Sequence, residues 1–127
     1  MTILLDSHAF FWWATADRKL SGTAYAAIDA DDQVYISAVV AWEIASKVRS
    51  GKWPEARPLA DDFFPTISHY AFHHLPLTLE HAHLAGAMPG RHRDPFDRLL
   101  AAQARIENVP LVTADMAFRE FGIQTLW

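Results

Sequence analysis

The sequence predicts an α/β fold with a short, mainly parallel central sheet. Three observations support this prediction: short apolar segments recur along the chain, longer segments with helix-start signals separate them, and the composition is that of a globular protein. Hydrophobic residues make up 51% of the 127 residues and charged residues 20%, which argues against disorder. No repeat or long linker divides the sequence, so we expect one domain over residues 1–127.

The first half of the chain is predicted to contain two strands, each followed by helical segments. Thr2–Leu5 is a short apolar run that ends at Asp6, and residues 34–36 are β-branched and aromatic, so both are predicted strands. Helices are expected over residues 10–14, 21–30 and 38–50. Ser21 and Ser37 precede two of these helices as favoured N-cap residues, and Gly51 stops the last one.

The second half is predicted to continue this alternation. Helices are expected over residues 59–70, 79–87 and 94–105, and short strands over residues 72–75, 110–113 and, at an edge, 124–126. Asp94 and Pro95 open the third helix, because aspartate is a good N-cap and proline suits the first helical turn. A helical turn follows Asp115. Strands that alternate with helices form mainly parallel sheets that are covered on both faces.

Composition limits the kind of function that the chain can have. There is no cysteine, which excludes disulfides and thiolate metal sites and is compatible with a reducing cytoplasm. The N-terminus lacks a basic region followed by a long apolar segment, and no apolar run approaches the roughly 20 residues of a membrane span, so we expect a cytoplasmic protein. The net charge of −4 opposes bulk attraction to nucleic acid, so any RNA binding must come from a local site.

Polar residues follow three of the predicted strands. Asp6 ends the first strand, Ser37 ends the second, and Asp115 comes shortly after residues 110–113. Ligands of open parallel sheets bind outside the carboxyl ends of the strands, so Asp6 and Asp115 come within reach of a shared ion if their strands are neighbours. Each aspartate is equally suited to a purely structural role, ending a strand or capping the following helix, so the structural and the ion-binding interpretations both stay open here.

Two further acidic positions have the same ambiguity. Glu43 lies beside the apolar stripe of its predicted helix, where a carboxylate needs a partner, and Lys47 four residues later offers an ordinary ion pair. Asp94 and Asp97 both lie in the first turn of a helix, where capping and the helix dipole account for them. Taken together, four converging carboxylates repel one another, and a divalent cation relieves that conflict. Oxygen ligands favour Mg²⁺ or Mn²⁺ over Zn²⁺.

Histidines and arginines are further candidates for binding a metal ion or a phosphate. The histidines do not form a zinc pattern: two are adjacent in a predicted strand, two are two apart on a helix, and two stand alone. These are, in order, His73 and His74, His81 and His83, and His69 and His92. His8, near Asp6, suits substrate contact or plain packing. Three arginines surround the acidic helix start and are either a local phosphate clamp or surface ion-pair partners: Arg91, Arg93 and Arg98.

Four segments, in this order and spacing, resemble the motifs of PIN-domain proteins, most closely the VapC-like toxins of bacterial type II toxin–antitoxin systems. They are LLDSHAFFWW, ISAVVAWEIASK, DPFDRLLAAQA and LVTAD, and they span residues 3 to about 121. The set of four is specific, whereas LLD or TAD alone is weak. The resemblance implies a PIN-like three-layer α/β/α sandwich.

The resemblance also implies a site and an activity. It places metal-binding and catalytic acids at Asp6, Glu43, Asp97 and Asp115, with Ser37, Asp94 and Thr113 as surrounding polar residues. Asp97 is chosen over Asp94 because the family's third acid directly precedes the small and apolar helix motif, here residues 98–102. The implied activity is endonucleolytic cleavage of RNA with Mg²⁺ or Mn²⁺. The implied partners are a second copy, giving a homodimer, and a cognate antitoxin that blocks the site.

Two other functions are compatible with an α/β fold and strand-end acids. A Mg²⁺-dependent phosphatase would use a D-x-D motif, but the second acid is missing from Asp6-Ser7-His8. A receiver-like or purely protein-binding domain would bind metal without catalysis, but the sequence has no obvious lysine after a late strand. Residues 53–76 carry no recognisable motif, so the sequence leaves substrate selection open.

Overall fold

A computed structural model of the chain describes residues 1–30 and 33–127. Within these residues the centre of the fold is a five-stranded sheet in the order β3-β2-β1-β4-β5, and every neighbouring pair is parallel. The strands are β1 (Thr2–Leu5), β2 (Gln33–Ser37), β3 (His73–Leu75), β4 (Leu111–Val112) and β5 (Thr125–Leu126). The predicted α/β class and parallel sheet are therefore confirmed, and the last strand lies at an edge as expected.

Helices connect the strands along the chain. They are α1 (Ser7–Ala14), α2 (Gly22–Asp29), α3 (Ala38–Arg49), α4 (Arg57–Asp61), α5 (Phe63–His69), α6 (Leu79–Ala87) and α7 (Pro95–Glu107). Two short 3-10 turns, Pro54–Ala56 and Met116–Phe121, complete the regular structure. Ser21, Ser37 and Asp94 each accept a hydrogen bond from a backbone N–H of the helix that follows, so the three predicted N-caps are confirmed.

The helix predicted over residues 59–70 is wrong as a single element. The structure breaks it at Asp62, whose backbone leaves the helical region (φ −108°, ψ 31°) between α4 and α5. Pro65 gives the physical reason, because its ring has no N–H to donate to the carbonyl of Asp61 and clashes with that carbonyl in a continuous helix. Within α5, Pro65 lies in the first turn, where its missing N–H costs no intrahelical bond.

The register of the central strands brings the functional positions to one edge of the sheet. Leu4 of β1 lies opposite Tyr35 of β2 and Leu111 of β4. The backbone N–H of Asp6 then donates to the carbonyl of Val112 at 3.1 Å, which fixes Asp6 beside the end of β4. The prediction that the strands before Asp6 and Asp115 are parallel neighbours is confirmed.

The sheet is covered on both faces. Ile3, Leu4 and Leu5 are each 0% exposed, although successive residues of a strand point to opposite faces. Helix residues such as Phe10 of α1 and Ile44 of α3 belong to the same buried core. The arrangement is the expected three-layer α/β/α sandwich. Among the described residues, no helix combines the length and apolar character that crossing a membrane requires.

A buried network of side-chain hydrogen bonds joins the sheet to the C-terminal helices. The Ser37 hydroxyl donates to Gln103 Oε1 and also accepts from the Val39 N–H at 2.9 Å. Gln103, 0% exposed on α7, faces the equally buried His81 of α6, whose Nε2 pairs with Glu107 at 2.9 Å. Because buried polar groups are costly without partners, the stability of this hydrogen-bonded network depends on each residue in it.

The two serine N-caps provide a matched test of this hydrogen-bonded network. Ser21→Ala removes a helix cap alone and is expected to lower the free energy of unfolding by about 1 kcal/mol. Ser37→Ala also leaves the buried Gln103 carbonyl without its donor, and we expect a loss of about 2–4 kcal/mol. Urea unfolding of both variants measures the difference; equal losses would show that the Ser37–Gln103 bond contributes nothing to stability.

Candidate active site

Asp6 lies at the centre of the carboxyl edge of the sheet, between β1 and α1. It caps α1, with Oδ1 accepting from the Ala9 N–H at 2.8 Å, and the residue is only 9% exposed. Burial raises the pKa of Asp6 to about 6, against hydrogen bonds from Thr113 and Ala9 that favour the charged form. The charges of Glu43 and Asp97 raise this pKa further, so the three carboxylates act on one another.

Glu43 is the second buried acid, and α3 carries it to the same edge. Its carboxylate accepts from the hydroxyl of Ser7, the residue next to Asp6, and from Lys47 Nζ at 2.5 Å. Glu43 is 8% exposed, which explains why both oxygens are paired. Burial by itself lowers the pKa of Lys47, because it disfavours the ammonium form. The hydrogen bond and the charge of Glu43 outweigh burial, so the pKa of Lys47 is raised. The ion pair expected from the i,i+4 spacing is therefore present, but at a half-buried position.

Asp94 and Asp97 have different roles in the first turn of α7. Asp94 Oδ1 accepts from the N–H groups of Phe96 and Asp97 at 2.9 and 3.2 Å, so Asp94 is the cap. Asp97 makes no capping bond; its Oδ2 instead pairs with His92 Nε2 at 2.7 Å. Burial raises the pKa of Asp97, the His92 bond lowers it, and the charges of Asp94 and Glu43 raise it. Asp97 is thus the member of the pair that interacts electrostatically with the buried acids.

Asp115 lies at the rim of this cluster. It is exposed and caps the turn Met116–Phe121, with Oδ1 accepting from the Ala117 N–H at 2.9 Å. Its charge acts on His8 and His92, which places it on the same side of the molecule. Thr113 links it to the centre, since the Thr113 side chain accepts from the Asp115 N–H at 3.0 Å and also hydrogen bonds Asp6.

The two other polar positions differ in what they contact. Thr113, 3% exposed at the end of β4, contacts Asp6 directly, as expected for a residue that lines the acidic site. Ser37, 1% exposed at the end of β2, bonds Gln103 and the α3 backbone, and no hydrogen bond joins it to any of the four acids. In the structure Ser37 supports α3, which carries Glu43, rather than touching the acids.

The acids suit a divalent cation in chemistry, although they are not arranged as a finished ligand shell. Among the described residues, no three His, Asp or Glu side chains already form a group that could hold a metal ion. Lys47 and His92 instead pair with the carboxylates of Glu43 and Asp97. Carboxylate oxygens are donors that suit Mg²⁺ or Mn²⁺, and the raised pKa of Asp6 reflects how unfavourable its negative charge is at this position. Lys47 and His92 would have to leave Glu43 and Asp97 before the oxygens that they contact could bind an ion.

His92 and Ser7 are site residues that sequence reasoning missed. The expectation that His92 stands alone is wrong, because its imidazole hydrogen bonds Asp97, and this bond raises the pKa of the imidazole. The His92 ring also packs against the Phe121 ring, with a centroid distance of 5.8 Å. A loop brings His92 back onto the helix start, and the i,i+5 spacing to Asp97 gave no periodic signal. Ser7 is adjacent to Asp6 in sequence, but its bond to Glu43 crosses 36 positions.

One of the three arginines predicted to contact phosphate has another role in the structure. Arg98 donates to the carbonyls of Ala85 at 2.8 Å, His92 at 2.9 Å and Met88, so its guanidinium holds the loop before α7 in place. The predicted contact of Arg98 with RNA phosphate stays a prediction, and in the structure its guanidinium is engaged with these carbonyls. Arg91 and Arg93 are exposed and line a shallow depression together with His92, whose imidazole pairs with Asp97.

His8 is stacked on the Trp53 ring at a centroid distance of 4.5 Å. Burial lowers the pKa of His8, the charge of Glu43 opposes that change, and the ammonium of Lys47 adds to it. His8 therefore adjoins the acid cluster as part of an aromatic packing group, so both roles considered for it are compatible with its position.

The fold and the site are those of a known family. The PIN domain matches residues 3–124, nearly the whole chain, so this chain belongs to the PIN-domain family. The family resemblance carried by the four sequence motifs is confirmed.

Individual relatives agree with this assignment. Ribonuclease VapC22 of Mycobacterium tuberculosis is 31% identical over 119 residues, which cover 93% of this chain and 90% of that protein. The structure of VapBC2 from Rickettsia felis, bound to a promoter DNA fragment, has the same fold, with a TM-score of 0.70, 19% identity, and coverage of 98% and 97% of the two chains. VapC20 of Mycobacterium tuberculosis, a sarcin-ricin loop cleaving toxin, matches with a TM-score of 0.68, 16% identity and 95% coverage of each chain.

The raised pKa of Asp6 makes stability depend on pH. Because the folded-state pKa of about 6 lies above the unfolded value of 3.8, the folded protein binds the extra proton and loses stability as pH rises through this window. Asparagine at this position is neutral and still caps α1. We expect Asp6→Asn to raise the free energy of unfolding at pH 7.5 by up to about 3 kcal/mol in a chelating buffer, and the gain to vanish below about pH 4.

Denaturant unfolding between pH 3.5 and 8 measures this gain. Asp61→Asn, which removes a negative charge from the exposed surface of α4, controls for the change in net charge. A gain for Asp6→Asn that is independent of pH, or no larger than that of the control, would contradict the buried, proton-binding state of Asp6.

Proposed function

We propose that this chain is a divalent-metal-dependent endoribonuclease that acts as the toxin of a toxin–antitoxin pair. The observation that carries the proposal is the set of carboxylates that β1, α3 and α7 bring to one edge of a parallel sheet, where the charge of Glu43 acts to raise the pKa of both Asp6 and Asp97. Membership of the PIN-domain family and the likeness to ribonuclease VapC22 support RNA as the substrate.

In this proposal Asp6, Asp97 and Asp115 would hold Mg²⁺ or Mn²⁺, and Glu43 would ligate the ion or orient the attacking water. The bound ion supplies an activated water and stabilisation of the leaving oxygen of a phosphodiester. Carboxylates that repel one another in a buried site favour binding of a cation, because it removes the cost of their shared charge.

The other residues of the site position these acids. Thr113 holds the Asp6 carboxylate, and Asp94 caps α7 so that Asp97 is free to face the site. Lys47, which pairs with the Glu43 carboxylate, would have to leave it if Glu43 ligates the ion. Arg91 and Arg93, exposed on either side of His92 in the sequence, contact the phosphates of the RNA and offset the net charge of −4 locally.

The proposed partners follow from the family. The proposal includes a homodimer, a cognate antitoxin that covers the acidic site, and a cytoplasmic location. VapBC assemblies from Rickettsia felis and Salmonella typhimurium have this fold and were solved with DNA. An antitoxin encoded immediately beside this gene would support the biological role, and its absence would leave an RNase without that role.

Cleavage of RNA by purified variants tests the catalytic assignment. With Mg²⁺ or Mn²⁺, Asp6→Asn and Asp97→Asn are each expected to lower the cleavage rate by at least about 100-fold, because each removes a charged metal ligand. Asp94→Asn retains the cap, since asparagine is an equally good N-cap, and is expected to lose less than about tenfold.

Thermal melts of the same preparations control for folding. Undiminished cleavage by the Asp6 or Asp97 variant would remove that residue from the catalytic role. An equal loss in the Asp94 and Asp97 variants would show that the wrong acid of the pair was assigned. Mn²⁺ binding by the wild-type protein without RNA turnover would favour the metal-binding interaction domain instead.

A further inference from the structure

An exposed aromatic pair adjoins the acidic site, and its two rings come from the residues next to two of the acids. Trp42 precedes Glu43 on α3, and Phe96 precedes Asp97 on α7. The rings meet edge to face, with centroids 5.0 Å apart and planes at 73°. Trp42 nevertheless remains 56% exposed, which leaves much of a large apolar ring in water.

The aromatic pair and the carboxylates form one continuous surface. Lys47 connects them, because its Nζ lies 2.5 Å from Glu43 Oε2 and 5.9 Å from the centroid of the Phe96 ring. This ammonium therefore contacts the acid cluster on one side and the aromatic pair on the other. A phosphodiester bound at the acids would place its neighbouring nucleoside within reach of Trp42.

The charge of the protein makes such an apolar contact useful. A net charge of −4 gives little bulk attraction for RNA, and the acids repel phosphate until a cation is bound. Stacking of a nucleobase on an aromatic ring needs no positive charge, and every base has a face that can stack. Bases are available for stacking in unpaired RNA, where loops and ends expose them.

We propose that Trp42, braced by Phe96, stacks against a nucleobase next to the scissile phosphate. This inference rests on the proposed nuclease function and adds a residue that binds the substrate. Trp42 is a binding residue in this account and takes no part in the bond cleavage.

The test compares Trp42→Ala and Trp42→Phe with Phe64→Ala as a matched control. Phe64 is 65% exposed on α5 and contacts Phe63 and His74, so the control removes an equally exposed ring without touching the acids. On a short single-stranded RNA with Mn²⁺, we expect Trp42→Ala to lower kcat/KM roughly tenfold, mainly through KM, since stacking on a base is lost. Trp42→Phe restores most of this, and Phe64→Ala changes little.

An abasic substrate separates stacking from a structural effect. After the cleavage position is mapped, the bases that flank it are removed one at a time. Wild-type protein is expected to lose roughly tenfold in kcat/KM at one flanking position. Trp42→Ala loses almost nothing further at that position, because the contact is already absent. Equal sensitivity of both proteins to the abasic site, or an unchanged kcat/KM in Trp42→Ala, overturns the inference.

Two further measurements separate the ways in which the proposals can fail. Anisotropy of a labelled RNA in the same Mn²⁺ buffer reports binding if no RNA is cut: wild-type binding that Trp42→Ala weakens would then support stacking and refute only the nuclease. Absence of both cleavage and binding refutes both proposals. Size-exclusion chromatography with light scattering checks the other use of an exposed ring; if Trp42→Ala dissociates an oligomer, Trp42 is a protein contact and the stacking inference falls.

Discussion

The structure depends on how it accommodates negative charge at a buried sheet edge. Asp6 and Glu43 are each less than 10% exposed, at positions where an apolar residue would be less costly to bury. Asp97 lies beside them. Burying a carboxylate is costly unless it is paired or protonated, and close carboxylates increase that cost. The raised pKa of Asp6, the ammonium of Lys47 and the imidazole of His92 are three responses to this one constraint.

The rest of the fold holds that unfavourable arrangement in place. The strand β1, in which Ile3, Leu4 and Leu5 are fully buried, ends just before Asp6, and its parallel pairing with β4 places Thr113 against the Asp6 side chain. Ser37 and Gln103 tie α3 to α7, the two helices that carry Glu43 and Asp97. A rigid scaffold of this kind keeps carboxylates together that would otherwise separate, which is why a cation is expected to bind where it relieves their repulsion.

Local signals explain what the sequence predicted and what it did not. Strand ends, N-caps and the sheet direction follow from short-range patterns, so the positions of Asp6, Ser37 and Asp94 were predictable. The contacts of Ser7 with Glu43, of His92 with Asp97 and of Arg98 with the loop carbonyls depend on segments that meet only in the fold. The choice of Asp97 over Asp94 came from the family motif, and the structure adds that Asp94 alone makes the capping bonds.

The most direct test of this account is a crystal structure with Mn²⁺ and anomalous data collected at the manganese edge. The account predicts an anomalous peak in contact with the carboxylates of Asp6 and Asp97. It also predicts that Lys47 Nζ has moved away from Glu43 Oε2, from which it lies 2.5 Å away in the present structure. No peak at this position with saturating Mn²⁺, and intact Lys47–Glu43 and His92–Asp97 pairs, would contradict the claim that the buried acids form a cation site.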